Sequence, residues 1–205
     1  SKKVLLICGK KSAKESGLLE KVIKILNAVN ISVTVFDSIT PEPDTEVVNN
    51  AVLTGRKENY SCVIGLGGGS VIDVAKAVAG IFNENSPAEE YLEIDGIKKI
   101  EKTSIPFVSI PTVSGTGAEV TMNSVLVNTK TGNKRSIRSE KLFAKVAIID
   151  PELTMTVPPY ITAIAGVDAL CHLLEGYISK KANILCDPIA VEGMKLVIEN
   201  LPKAV

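Results

Sequence analysis

Apolar positions along the first 82 residues follow two alternating patterns. Val4-Leu5-Leu6-Ile7-Cys8 is a continuous apolar run closed by Gly9, as expected of a strand buried on both faces. Leu18, Leu19, Val22, Ile23, Ile25 and Leu26 then recur at helical spacing. Ser32-Val33-Thr34-Val35-Phe36 reads as a second strand, closed by Asp37 and the turn Thr40-Pro41-Glu42-Pro43. Residues 45–59 read as a helix with Val47, Val48, Ala51, Val52 and Gly55 along one side, and Cys62-Val63-Ile64-Gly65-Leu66 as a third strand leading through glycines into a helix over 71–82. This alternation predicts a doubly wound, mostly parallel α/β sheet with crossover helices on its faces.

A polar stretch at 83–104 precedes strand-like runs at 107–110, 120–128 and 145–149. The character changes after Pro151. Residues 160–179 are helical and apolar over much of their circumference. Asp187-Pro188 looks like an N-cap followed by Pro at the first helical position, opening a helix to about Asn200. The expected division is an α/β domain over 1–150 and the beginning of an all-α domain over 151–205. The second part is thin for an independent core.

Composition narrows the classes. The chain has 205 residues, 45% of them hydrophobic, with 23 basic and 23 acidic side chains that balance to no net charge. A nucleic-acid or acidic-membrane partner would favour a basic surplus, so neither is expected. The basic cluster at Lys134, Arg135 and Arg138 follows the turn Lys130-Thr131-Gly132 and reads as a solvated hairpin tip. No apolar run is expected to span a bilayer and no signal peptide is evident. The four cysteines, Cys8, Cys62, Cys171 and Cys186, show no CxxC spacing, so a reduced, cytoplasmic protein is expected.

Gly67-Gly68-Gly69-Ser70 joins the third strand to its helix. Glycines let the backbone turn sharply and approach a ligand, while the helix N-terminus offers unpaired N–H groups and a positive dipole. Three consecutive glycines and a serine at the carboxyl end of a parallel strand favour a pyrophosphate cradle over a merely tight turn. Asp37, at the end of the second strand, is placed to accept hydrogen bonds from an adenosine ribose and repel a 2′-phosphate, favouring NAD over NADP. A simple turn cap remains the other reading.

Asp168 and His172 lie four residues apart, one above the other on a helix, with His172 the sole histidine of the chain. They make half a metal site. By itself such a histidine reads more readily as a satisfied core residue than as a ligand.

The stretches GLGGGSVIDVAKAVA (65–79), IPTVSGTGAEVT (110–121), IIDPELTMTVPP (148–159) and ITAIAGVDALCHLLEGYIS (161–179) resemble the iron-containing, or group III, alcohol dehydrogenases. The resemblance covers essentially the whole chain in order. It implies an N-terminal NAD(P)-binding α/β domain and a C-terminal helical domain holding a divalent metal. It gives Gly68, Gly69 and Ser70 the pyrophosphate, with Gly67 shaping the turn, and Asp37 the ribose. Thr112 and Thr116 would line the phosphate and nicotinamide end, Lys134 would approach the nicotinamide ribose, and Asp73 would face the nicotinamide and substrate. From the residues alone, Asp73 reads as a first-turn helix acid favoured by the dipole. Asp168 and His172 match the first two metal ligands, for Fe²⁺ or Zn²⁺.

The family uses two further histidines, and residues 173–205 contain none. The expectation is therefore an N-terminal half cut within the metal domain, inactive alone, with a small-molecule alcohol or aldehyde as substrate of the whole enzyme. Exposed apolar faces through Leu170, Leu173, Leu174, Ile189, Met194 and Val197 predict self-association into a homo-oligomer. Two alternatives stay open: a nucleotide-binding module without catalysis, and a polyol dehydrogenase or dehydroquinate-synthase-like relative.

Overall fold

A computed structural model describes residues 2–205. The chain divides into two compact units. The first comprises residues 2–111 and 118–150; the second takes the helices from Pro151 onward together with the loop 112–117.

The first unit is built on a five-stranded sheet in the order β2-β1-β3-β4-β7, all pairs parallel. Its strands are β1 (Lys2–Gly9), β2 (Ile31–Ile39), β3 (Cys62–Gly67), β4 (Phe107–Pro111) and β7 (Val146–Ala147). The helices are α1 (Ser12–Glu15), α2 (Leu18–Ala28), α3 (Thr45–Glu58) and α4 (Gly69–Ile81). β1 and β3 read as unbroken apolar runs because both their faces are covered: Leu5, Ile7, Val63 and Leu66 have no exposed surface. Leu5, Ile7 and Val63 join Val48, Val52, Ile72, Ala75 and Val78 of α3 and α4 in one core.

Helix ends follow local chemistry. The Asp44 carboxylate accepts the N–H of Val47 (2.9 Å) and caps α3, while Asn59 at φ 55° closes it. The Arg56 guanidinium donates to the carbonyls of Phe82 (2.7 Å), Ile81 (3.2 Å) and Glu84, satisfying the last carbonyls of α4.

A second, antiparallel pair, β5 (Asn123–Val127) and β6 (Lys134–Arg138), packs on α4. Its turn ends at Gly132, φ 71°. Of the basic cluster, only Lys134 stands beside the hairpin tip; Arg135 and Arg138 lie farther along β6. Lys134, Arg135 and Arg138 stand on β6 and pair with Glu42 (3.3 Å), Asp95 (3.2 Å) and Glu93 (3.1 Å).

The second unit contains α5 (Pro159–Ile178) and α6 (Cys186–Ala204), packed together. Gly166 and Gly193 allow their close approach: a Cβ there would lie 2.3 Å from Leu201 and 2.9 Å from Leu173. Two expectations are corrected here. Asp187 does not cap α6; the Asn183 side chain accepts the N–H groups of Leu185 (3.0 Å) and Cys186 (3.1 Å), so the helix starts before Asp187. α5 is also long and apolar enough to cross a membrane by length and composition, with 20 residues and mean hydropathy 1.3, contrary to the sequence expectation.

Candidate cofactor cradle and metal ligands

The order of the sheet decides where a ligand can enter. After β1 the chain turns to β2 on one side and then crosses to β3 on the other. The loops after β1 and β3 therefore diverge, leaving a crevice at the carboxyl ends of the strands. A cavity of about 490 Å³ lies there, lined by Gly9-Lys10-Lys11-Ser12 after β1, Ile39-Thr40-Pro41 after β2 and Gly68-Gly69-Ser70-Val71 after β3.

The cradle is formed by backbone. Gly68 is the extended N-cap of α4 (φ −77°, ψ −175°), and no side chain caps this helix. The first intrahelical donors are Val71 and Ile72, both to the Gly68 carbonyl (3.0 and 3.1 Å). The N–H groups of the helix start thus face the cavity, an anion-binding arrangement. Gly67 makes the turn possible: a Cβ there would lie 2.8 Å from Val71 Cγ2 and 3.0 Å from Val71 Cβ. Gly65 serves packing instead, its missing Cβ leaving room for the Ala75 methyl at 2.8 Å.

Asp37 lies within β2 rather than at its end. Two steps along β1, from Ile7 to Gly9, match three along β2, from Phe36 to Ile39, so Asp37 sits at a register irregularity of the kind that re-aims side chains. Its carboxylate accepts a hydrogen bond from the Lys14 ammonium. That bond, above all, holds the Asp37 carboxyl below the ordinary range.

Asp73 is the fifth residue of α4, not a first-turn acid, and its partners are internal. The backbone N–H of Val125 donates to its carboxylate (3.2 Å), and the Ser124 hydroxyl donates to its backbone carbonyl (2.8 Å). Lys76, fully buried, places Nζ 3.3 Å from the same carboxylate and donates to Thr121 Oγ1 (2.9 Å) and the carbonyl of Asn123. Burial pushes the Asp73 carboxyl up, opposed by Lys76, by the Val125 N–H and by the charge of Lys134. Burial likewise pushes the Lys76 ammonium down, opposed by Asp73. Lys134 itself is exposed and paired with Glu42.

Thr112 and Thr116 belong to the second unit, on a loop whose Gly115 lies against α5; a Cβ there would be 2.9 Å from the Ala165 carbonyl. Asp168 and His172 share one face of α5, with Oδ2 3.6 Å from Nδ1, and both are substantially exposed. Among the described residues no group of three or more His, Cys, Asp or Glu side chains is gathered to hold an ion. The pair fits a divalent metal as two of its ligands and does not form a complete site. A cavity of the second unit, about 660 Å³ and lined by residues such as Met155, Val157 and Leu201, contains none of the expected site residues.

The structure thus gathers Gly68, Gly69 and Ser70 with the β1 loop, Asp73 with Lys76, and Asp168 with His172. The sequence reading missed Lys10, Lys11, Lys14 and Lys76. A basic pair directly after Gly9 was a usable signal, since the carboxyl end of β1 borders the crevice. A lysine inside the apolar run of α4, three residues after Asp73, was another.

The family model for iron-containing alcohol dehydrogenase matches residues 1–151, and the C-terminal model of the same family matches 162–205. Long-chain-alcohol dehydrogenase 1 of Geobacillus thermodenitrificans is 41% identical over 92% of this chain and 47% of its own length. NAD-dependent methanol dehydrogenase of Bacillus methanolicus is 35% identical over 93% of this chain and 49% of its own. The crystal structure of sulfoacetaldehyde reductase from Bifidobacterium kashiwanohense in complex with NAD⁺ superposes with a TM-score of 0.90 at 38% identity, covering 100% of this chain and 53% of that one. The chain spans about half the length of the curated relatives it matches. By sequence and by fold, this chain belongs to the iron-containing alcohol dehydrogenase family.

Proposed function

We propose that this chain forms the dinucleotide-binding part of an NAD-dependent alcohol dehydrogenase and supplies two of the ligands for its divalent metal. The observation that carries the reading is the cavity at the sheet's switch point, opening onto the uncapped start of α4. There the N–H groups around Gly69 and Ser70 would hold the pyrophosphate and Asp37 the adenosine ribose. Thr112, Thr116 and Lys134 would serve the nicotinamide end.

Asp73 would act from a fixed position, because Lys76 and the Val125 N–H bind its carboxylate. Asp168 and His172 would contribute to binding Fe²⁺ or Zn²⁺, an ion that lowers the barrier to hydride transfer by stabilising negative charge on the alcohol oxygen. The substrate class is a small-molecule alcohol or aldehyde, in line with the relatives named above. Among relatives, one is an NAD-dependent methanol dehydrogenase and another an NADPH-dependent butanol dehydrogenase, so the cofactor is a nicotinamide dinucleotide in both. A homo-oligomer in a reducing, cytoplasmic setting completes the reading.

Calorimetry with NAD⁺ tests it directly. Saturable binding that is lost in Gly67→Ala is expected; no binding by the folded chain overturns it. A second reading, a nucleotide-binding module without turnover, is supported by the two-ligand metal set. Alcohol oxidation with added Fe²⁺ or Zn²⁺ separates the two, and for this chain alone none is expected.

A further inference from the structure

We propose that Lys14 is a specificity-determining residue of the dinucleotide site, and that by holding the Asp37 carboxylate it lets this chain accept NADP alongside NAD. The inference rests on the cofactor reading above and reverses its simplest corollary, that Asp37 excludes a 2′-phosphate.

An acidic residue on the second strand discriminates in two ways. It accepts hydrogen bonds from the ribose hydroxyls, and its negative charge repels a 2′-phosphate. The repulsion requires an uncompensated carboxylate, and the charge of Asp37 is compensated by Lys14. The Lys14 ammonium donates to Oδ2, and both side chains remain accessible, with 46% of Lys14 and 40% of Asp37 exposed. The pair therefore stands where an incoming ligand can reach it. Lys14 follows the cavity-lining Ser12 by two residues, and Asp37 precedes the cavity-lining Ile39 by two. Lys10 and Lys11 line the same cavity, and the charge of Lys10 also acts on Asp37.

A 2′-phosphate entering here meets three ammonium groups and one carboxylate that is already paired. An ammonium is a compact charge on a flexible stem, able to turn from Asp37 towards a phosphate without moving the backbone. With NAD, the second carboxylate oxygen remains available to a ribose hydroxyl. Lys14 acts partly through Asp37, so it is a positioning residue whose signature is a ratio of affinities.

The test is a fluorescence titration of the chain with NADH and NADPH at low ionic strength, for the native sequence, Lys14→Met and Lys14→Arg. The native chain is expected to bind both dinucleotides. Lys14→Met should shift the affinity ratio towards NADH by about fivefold, the scale of an exposed ion pair. Lys14→Arg should keep the native ratio, and circular dichroism should show all three folded. A native chain that binds NADH but excludes NADPH overturns the inference, as does a Lys14→Met variant that weakens both equally. A folded native chain that binds neither overturns the nucleotide reading itself, a distinct failure from the other two.

Discussion

Lys76 and Asp73 stand one turn apart on α4, with Nζ 3.3 Å from the carboxylate and the lysine wholly shielded from solvent. The ammonium has acceptors for all its protons: Asp73, the hydroxyl and carbonyl of Thr121 (2.9 and 3.4 Å) and the carbonyl of Asn123. A buried ammonium is tolerated only under such conditions. The consequence is mechanical, because the pair and the Val125 N–H tie the cradle helix to β5.

Removing one member of that pair leaves the other buried and uncompensated. Lys76→Met is expected to destabilise the chain by about 3–5 kcal/mol, read as a lowered urea midpoint with an unchanged slope. A midpoint equal to that of the native chain would show that the pair contributes nothing.

Asp95 should govern part of the acid response. The Asn128 amide (3.0 Å), the Arg135 guanidinium (3.2 Å) and the Thr131 hydroxyl (3.2 Å) all donate to its carboxylate, and they hold its carboxyl below the ordinary range, the Asn128 bond foremost. A depressed folded value contributes stability that is present above the unfolded value and lost as pH falls through the folded one. Stability should therefore decline below about pH 4, and Asp95→Asn should flatten that decline. Parallel acid titration curves for the two proteins would contradict this.

Two neighbouring glycines should separate binding from packing. Gly67→Ala forces a Cβ against Val71 in the turn itself and should abolish detectable NAD⁺ binding. Gly65→Ala meets Ala75 behind the cradle and should lower stability by about 1–3 kcal/mol, the scale of overpacking a core, while folded protein still binds. Equal loss of NAD⁺ affinity in both would place the turn outside the binding site.

The metal pair should be weak in this chain. Two side chains on an exposed helix face, lacking further ligands among the described residues, hold an ion loosely. Cobalt titration followed by absorbance should show low-affinity binding that disappears in His172→Ala. Tight, submicromolar binding by a monomer would count against it.

α5 and α6 leave Leu174, Ile189, Leu196 and Ile198 exposed, and large exposed apolar side chains promote association. Light scattering should show mass rising with concentration, and Ile189→Lys should reduce the effect. A constant monomer mass across the range would refute it.

Local pattern carried much of the architecture. β1, β3 and α4 were legible because burial on both faces writes an unbroken apolar run, and because a glycine turn at a strand's carboxyl end has few other uses. Asp168 and His172 were legible because a helical period of 3.6 places positions four apart on one face. Tertiary structure alone decided the rest. Lys14 meets Asp37 across 23 residues, and Lys76 meets Thr121 across 45, by sheet order and helix packing that no local spacing encodes. The same holds for Asp37 itself: the sequence ended its strand there, but pairing with β1 carried the strand on to Ile39 through a register shift. Strand ends are set by the neighbouring strand's hydrogen bonds, and side-chain charge is compensated by whatever the fold brings near. Both are properties of the folded chain, so residue type fixed the chemistry available and packing fixed which of it is paired.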